Sequence, residues 1–484
     1  MIELRPYQQQ GLDSIIEAFT AGEEGVFYTL PTGGGKTVVF SALINHYLPH
    51  EKTFAIVAHR VELLKQAHKT LETLTGVDAG VIKASNSDKP NSPIQLCMIQ
   101  SLRSRALPFE PDYIITDEAH LCKAGSYTDF YEKYPQAKKL YVSATPCRAD
   151  GKGFSDLASV LIKGLSIGEM IENGYLTPSR VFTASNVASQ LKGIKKQAGD
   201  YAIGALADMM QSVELMGDIV KQYQKHALGR KGVVFCVNVL HSIAVAKAFN
   251  DAGIVAEHLD GEMDSEHREA VLERLKTGET TIVTNCGILC EGWDEPSISY
   301  VGLARPTKSL ALYIQQAGRG LRLFEGKENC IILDHGNNTN EHGHIEECRE
   351  WSLDGATKVS TYEETERGEK NRKPKECPNC GEWVDKNALE CNCGYEFQPV
   401  KTIDVEMEEV KPKGKVEVED TVAFEIEKHY INALKMCKEK GWKVGRAFHM
   451  VIQKWTLPYF KGAISYTKSL ALQEEHYYSQ ELPC

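Results

Sequence analysis

Twice along this chain, short apolar runs alternate with longer segments of helical period, and this double alternation limits the fold more than any other feature. The first set is GVFYTL (25–30), TFAIVA (53–58), IQLCM (94–98), YIITD (113–117) and LYVSA (140–144). The second is GVVFCV (232–237), IVAEHL (254–259), TTIVT (280–284), ISYVGLA (298–304) and CIILDH (330–335). Runs that are apolar throughout, instead of at every second residue, belong to strands covered on both faces, and helices between them make such strands parallel. The spacing therefore predicts an α/β chain with two lobes, residues 1–150 and 230–345. Residues 151–229 carry few strand signals and read as a connector or insert between the lobes, with an amphipathic helix in LKGIKKQAGDYAIGALADMMQ.

Beyond residue 345 the composition changes. A charged linker (346–376) leads to a cysteine cluster (377–397), a second charged linker (398–423) follows, and helical period returns over 424–484. The 66 acidic residues outnumber the 55 basic ones, and a net charge of −11 excludes a protein that holds nucleic acid by bulk attraction, so any such site must be local. No stretch of about 18 apolar residues occurs, so no membrane partner is expected. MIELRPYQQQ lacks a basic region followed by an apolar run; the expected compartment is cytoplasmic, in a bacterium or a phage-infected host. Four of the 14 cysteines cluster as Cys377-Pro378-Asn379-Cys380-Gly381 and Cys391-Asn392-Cys393-Gly394. Each pair resembles a zinc knuckle, and four thiolates would close a tetrahedral structural Zn2+ site. Glu390 stands where the second pair usually has a cysteine, so a finger that has lost its metal, or a redox pair, stays open beside zinc.

Thr29-Leu30-Pro31-Thr32-Gly33-Gly34-Gly35-Lys36-Thr37 follows a predicted strand and opens a predicted helix. In that context the backbone of Thr32, Gly33, Gly34 and Gly35 can turn its amides toward phosphates at a helix N-terminus. A plain glycine turn would explain the glycines but not Lys36-Thr37 in register. Lys36 is placed to reach the β and γ phosphates of ATP, and Thr37 to ligate Mg2+. Asp117 and Glu118 stand at the end of an apolar strand, the carboxyl edge where parallel sheets bind ligands. Asp117 is suited to hold magnesium, and Glu118 to orient and deprotonate an attacking water. In the second lobe Arg319 and Arg322, three residues apart and on one face if helical, suit the charge of a transferring phosphoryl group.

In this order the segments resemble the superfamily 2 helicases over residues 3–335, with a DEAH-type box at Asp117-Glu118-Ala119-His120. The resemblance implies two tandem RecA-like lobes. Leu4-Arg5-Pro6-Tyr7-Gln8 looks like the adenine-recognising Q motif, which implicates Arg5 and Gln8. His120, with Ser143 and Thr145 of a motif III-like Ser143-Ala144-Thr145, would link hydrolysis to movement. Gly292-Trp293-Asp294-Glu295-Pro296 looks like motif V, which puts Gly292 and Asp294 at the nucleotide and Thr284 at the nucleic-acid backbone. Gln315, Gly318, Arg319 and Arg322 match motif VI, and Gln315 joins the implied catalytic set. Residues 58–66 look like motif Ia and 99–102 like motif Ib; Arg60, Gln100, Ser101, Asn238 and His241 are further implied nucleic-acid contacts. The wording LRPYQQ, LPTGGGKT, VAHRVELLKQ, GYLTP, CEGWDEP and QQAGRGLRL, followed by a cysteine-rich finger, is similar to the bacterial RadD-type DNA-repair ATPases.

The resemblance thus implies a Mg2+-dependent, nucleic-acid-stimulated ATPase that unwinds or remodels DNA in repair, recombination or replication. Single-stranded, forked or branched DNA is the implied partner, with a single-strand-binding or recombination protein beside it. An accessory factor with an incidental ATPase and an RNA helicase are the alternatives. Residues 440–449, basic and aromatic by turns, suit either stacking on unpaired bases or a packed helix.

Overall fold

The computed structural model describes residues 3–83, 86–122, 125–147, 153–184, 213–355 and 420–439, with short pieces at 196–197, 200–203, 206, 210, 375–376, 383–384 and 407–410. Cys377, Cys380, Cys391 and Cys393, and residues 440–449, lie outside the described residues. The chain divides into two units, Met1–Val410 and Lys411–Cys484.

The first lobe is an eight-stranded sheet built from β1 (Gly25–Thr29), β2 (Phe54–Ala58), β3 (Gly80–Lys83), β4 (Asn86–Asp88), β5 (Ile94–Met98), β6 (Tyr113–Asp117), β7 (Lys138–Ser143) and β8 (Val160–Lys163). Its order is β4-β3-β5-β2-β6-β7-β1-β8, parallel throughout except at β4. Every residue of β1, β2 and β6 is buried, as runs without polar alternation require. Among the described residues, the α-helices of this lobe are α1 (Pro6–Thr20), α2 (Lys36–Tyr47), α3 (Val61–Thr75) and α4 (Gly125–Lys133). Leu63, Leu64, Ala67 and Leu71 recur at helical spacing along α3 and are all buried. Phe27, Val57, Ile114 and Tyr141 of the sheet pack with Phe130 and Tyr131 of α4 in one core. The register pairs Thr29 with Ser143 and Asp117 with Val142, so the ends of β1, β6 and β7 lie side by side.

The chain then runs through α5 (Ile167–Glu172), β9 (Ser179–Ala184), a hairpin of β10 (Lys196–Gln197) and β11 (Asp200–Tyr201), and α6 (Val213–His226). The second lobe continues with β12 (Gly232–Phe235), α7 (Val239–Asp251), β13 (Ala256–Leu259), α8 (Ser265–Thr277), β14 (Ile282–Asn285), β15 (Tyr300–Leu303), α9 (Leu310–Gly318), β16 (Cys330–Asp334) and α10 (Asn338–His342). A hairpin of β17 (Lys375–Glu376) and β18 (Trp383–Val384) and then β19 (Met407–Val410) follow. The second sheet has the order β13-β14-β12-β15-β16-β9-β19, parallel except for β19. Val234, Phe249, Tyr300 and Ile331 lie in its core. Two α/β lobes with largely parallel sheets are thus in place, consistent with tandem RecA-like lobes.

Three local expectations change. Residues 151–229 hold strands after all: β8 pairs with β1 at the edge of the first sheet, and β9 inserts between β16 and β19 of the second. No residue of Val160–Lys163 is fully buried, so β8 lacks the continuous apolar signature of its neighbours. The amphipathic helix expected around 191–211 falls mostly outside the described residues, and its described part includes the β10–β11 hairpin, pinned where Asp200 accepts from the Thr307 hydroxyl and the Lys308 amide, both at 2.7 Å. Arg319 and Arg322 do not share a helical face, because α9 ends at Gly318, Arg319–Leu321 forms a 3-10 turn and Arg322 is extended.

In the second unit, α11 (Asp420–Glu439) buries Tyr430, Ala433, Leu434 and Cys437, which share one helical face. Among the described residues no helix is long and apolar enough to cross a membrane.

Candidate active site

The loop that leaves β1 is held from three sides. The Leu30 amide donates to Ser143 O (3.1 Å) and the Thr29 hydroxyl to Ala144 O (3.2 Å), so β1 stays tied to β7 to its last residue. Gly33 (φ 86°) and Gly35 (φ 85°) then take left-handed conformations that a side chain would strain, and α2 opens directly at Lys36. From α1, the Tyr7 hydroxyl and Gln8 Nε2 both donate to Gly34 O, at 2.9 and 3.1 Å. Gln8 also accepts from the Arg5 amide (2.9 Å), and the Arg5 guanidinium lies 5.3 Å above the ring of Tyr175, which packs on Tyr7. Thr32 is buried and Thr37 half-buried; Lys36 Nζ donates to Leu30 O at 3.3 Å.

Asp117 and Glu118 are both buried beside this loop. Glu118 has a φ of 49°, a strained conformation for a residue other than glycine, and its amide donates to Asp117 Oδ1 at 2.9 Å. Burial first, then the charge of Glu118, pushes the Asp117 carboxyl up to about 6, against a smaller opposing pull from Lys36. Burial and the neighbouring Glu118 charge outweigh the pull of Lys36 on Asp117, which fits a divalent cation held by Asp117 and Thr37. The raised value makes ionised Asp117 a cost to stability, present above about 6 and absent below 3.8, its ordinary value. Asp117→Asn should therefore raise the melting temperature of nucleotide- and magnesium-free protein at pH 7.5, with the gain fading as pH falls toward 4; a lower melting temperature at pH 7.5 would contradict this electrostatic account.

The second lobe completes the cluster. Gln315 Nε2 donates to Glu118 Oε2 at 3.3 Å and lies 3.2 Å from His120 Nε2. His120 Nδ1 meets Ser143 Oγ at 3.0 Å, and that oxygen accepts the Thr145 amide at 3.3 Å. Arg322 pairs with Asp294 and lies against the phosphate loop, where a Cβ on Gly33 would meet its Cγ at 3.4 Å. Burial pushes Arg322 down to about 10, so it remains cationic at neutral pH. Gly318 packs on Thr32, and Gly292 (φ 71°) approaches so closely that a Cβ there would meet Glu62 Cβ at 2.9 Å. Arg319, in contrast, is spent inside its own lobe, donating to the carbonyls of Cys290 and Trp293.

The implied nucleic-acid contacts fare unevenly. Gln100 is exposed and donates to His59 O at 3.3 Å, whereas Ser101 is buried. Asn238 caps α7 by accepting the His241 amide at 2.8 Å. His241 and Thr284 have no exposed surface, and the Thr284 hydroxyl donates to Ser242 O at 2.8 Å, so neither reaches a bound strand in this conformation. Arg60 spans the cleft, donating to Gly287 O (3.1 Å) and Ile288 O (3.2 Å). The geometry adds Tyr175 and Glu291, both inside stretches whose wording was noted, GYLTP and CEGWDEP, but neither singled out by residue type.

A family model described as the type III restriction enzyme res subunit matches residues 1–148, and one described as the helicase conserved C-terminal domain matches residues 212–324. Together, and in this order, the two matches support a superfamily 2 helicase. It is an ATP-hydrolysing enzyme of that class. This helicase is 28% identical over 426 residues to a 51.5 kDa protein of a Lactococcus phage, covering 86% of the present chain and 87% of the phage protein. It is 32% identical over 356 residues to the putative ATP-dependent helicase IRC3 of Saccharomyces cerevisiae, across 68% of the present chain but only 51% of the yeast protein. The helicase thus spans about half the length of that relative. Its fold matches a fragment of a putative HsdR subunit of a type I restriction enzyme from Vibrio vulnificus, with a TM-score of 0.57 and 23% identity over 73% of this chain and 67% of the other.

Proposed function

We propose that this helicase uses ATP to translocate on DNA and to unwind or remodel forked or branched duplexes in repair, recombination or replication, as a RadD-type ATPase. The observation that carries the reading is that the site is completed from both lobes, with Gln315 on Glu118 and Arg322 over Gly33. Hydrolysis then depends on lobe closure, and alternating closure while each lobe grips a strand produces stepwise movement. Lys36, Thr37 and Asp117 would hold Mg2+·ATP, with Arg5, Gln8 and Tyr175 toward the base and Asp294 toward the ribose; the bound nucleotide supplies the phosphoryl group. Glu118 takes the proton of the attacking water, Gln315 fixes the direction of that carboxylate, and Arg322 offers its fork to the charge that develops. Intact Lys36, Glu118 and Arg322 speak against an accessory factor with an incidental ATPase.

DNA is favoured over RNA because a restriction-enzyme subunit names both the matching family model and the similar solved structure, and restriction enzymes act on DNA. The acidic net charge suits a motor that grips through a narrow set of polar groups and releases its track at each step. Cys377, Cys380, Cys391 and Cys393 are proposed to hold a structural Zn2+ in a module that docks DNA or a protein partner.

ATP hydrolysis measured with single-stranded, forked and four-way DNA and matched RNA, with strand displacement alongside, tests the reading. Stronger stimulation by DNA, with displacement of forked substrates, is the expected result. Equal or stronger stimulation by RNA would overturn the choice of DNA.

A further inference from the structure

Glu291 follows β14 and directly precedes the tight Gly292 turn. Its side chain is only 8% exposed, and its partners come from the other lobe: His59 Nε2 at 2.6 Å, Arg60 Nε at 3.2 Å and His120 Nε2 at 3.7 Å. Burial works to raise its carboxyl, but the hydrogen bonds of His120 and His59 hold it far below the usual carboxylate range, so it is ionised at neutral pH. His120 is also 3.4 Å from Glu118 through its other ring nitrogen. One carboxylate therefore stands between Arg60, at the start of α3, and the imidazole beside the catalytic base.

Arg60 is fully committed to the second lobe, to Glu291 and to two backbone carbonyls. A nucleic-acid phosphate offers the same guanidinium a stronger forked partner. A buried carboxylate that loses its guanidinium partner must lean on the hydrogen-bonding partners that remain, because an unpaired buried charge is costly. The other partners within reach are the imidazoles of His59 and His120. We propose that Glu291 is the positioning residue that couples strand contact to hydrolysis: phosphate draws Arg60 away, and the released carboxylate fixes His120 against Glu118. The coupling rests on the reading of this helicase as a nucleic-acid-driven motor, but Glu291 itself is an assignment beyond it.

The test compares steady-state ATP hydrolysis by the full chain with and without an oligo-dT strand or a matched RNA. Glu291→Gln should lower the ratio of stimulated to basal rate at least tenfold while the KM for ATP changes less than threefold, and Glu291→Asp should recover part of the ratio. Arg60→Ala, which frees the carboxylate without any strand, should raise the basal rate, an effect that a merely structural contact would not produce. A wild-type ratio in Glu291→Gln, or equal loss of both rates, overturns the coupling role. Should Glu291→Gln not fold, an unchanged or lower basal rate in Arg60→Ala overturns it instead. Absence of stimulation in the unmodified chain is a separate outcome, and it removes the motor reading and the coupling together.

Discussion

Glu118→Gln is expected to bind ATP as the unmodified chain does and to hydrolyse it at least about a hundredfold more slowly, the lower end of what a positioned base contributes. Glutamine preserves the size of the side chain and can still accept the hydrogen bond from Gln315 at 3.3 Å, so lobe closure should survive. What it lacks is a lone pair basic enough to take a proton from water. The strained backbone at residue 118 (φ 49°) holds the carboxylate in place before substrate arrives, and glutamine pays the same conformational cost. Binding of a fluorescent ATP analogue and single-turnover hydrolysis separate the two effects. Turnover within a few-fold of normal would place the base elsewhere.

Arg322→Ala should lower the maximal rate by about a thousandfold, the lower end of what a transition-state arginine contributes, with a small change in melting temperature. The contrast lies in the partners. Arg322 pairs with Asp294, which is 40% exposed and can be rehydrated once the arginine is gone. Arg319 is 6% exposed and holds the carbonyls of Cys290 and Trp293, so Arg319→Ala removes the donor to the buried Cys290 carbonyl and should lower the melting temperature instead. Rate and thermal denaturation measured on both variants distinguish the roles. A nearly normal rate in Arg322→Ala would remove it from the chemistry.

The candidate nucleotide site was legible as a constellation because its chemistry constrains residues that are adjacent in sequence. A turn such as Gly33–Gly35 followed by Lys36 and Thr37, and an acid pair closing an apolar strand, have few other uses together. The ten apolar runs likewise located β1, β2, β5, β6 and β7 of the first sheet and β12, β13, β14, β15 and β16 of the second. The edge strand β8 was missed because it is only partly buried, and β9 because the polar Ser179, Arg180 and Thr183 break its apolar run. Tyr175 and Glu291 escaped for another reason: their roles arise from residues far away in sequence, 232 positions in the case of His59 and Glu291. Motif position implied a strand contact for Thr284 and His241, but it does not report the packing around α7 that encloses them. The role expected of Arg319 shifted similarly, since the end of α9 at Gly318 turns its side chain toward Cys290 instead of along the face of Arg322.

A strand of nucleic acid is expected to drive ATP hydrolysis in the cleft between the two lobes. Steady-state hydrolysis by the full chain with saturating single-stranded DNA, set against the same protein without DNA and against Lys36→Ala, tests it most directly. At least a tenfold rise with DNA and no turnover in Lys36→Ala are expected. A rate indifferent to DNA, or no rate above that of Lys36→Ala, would contradict it.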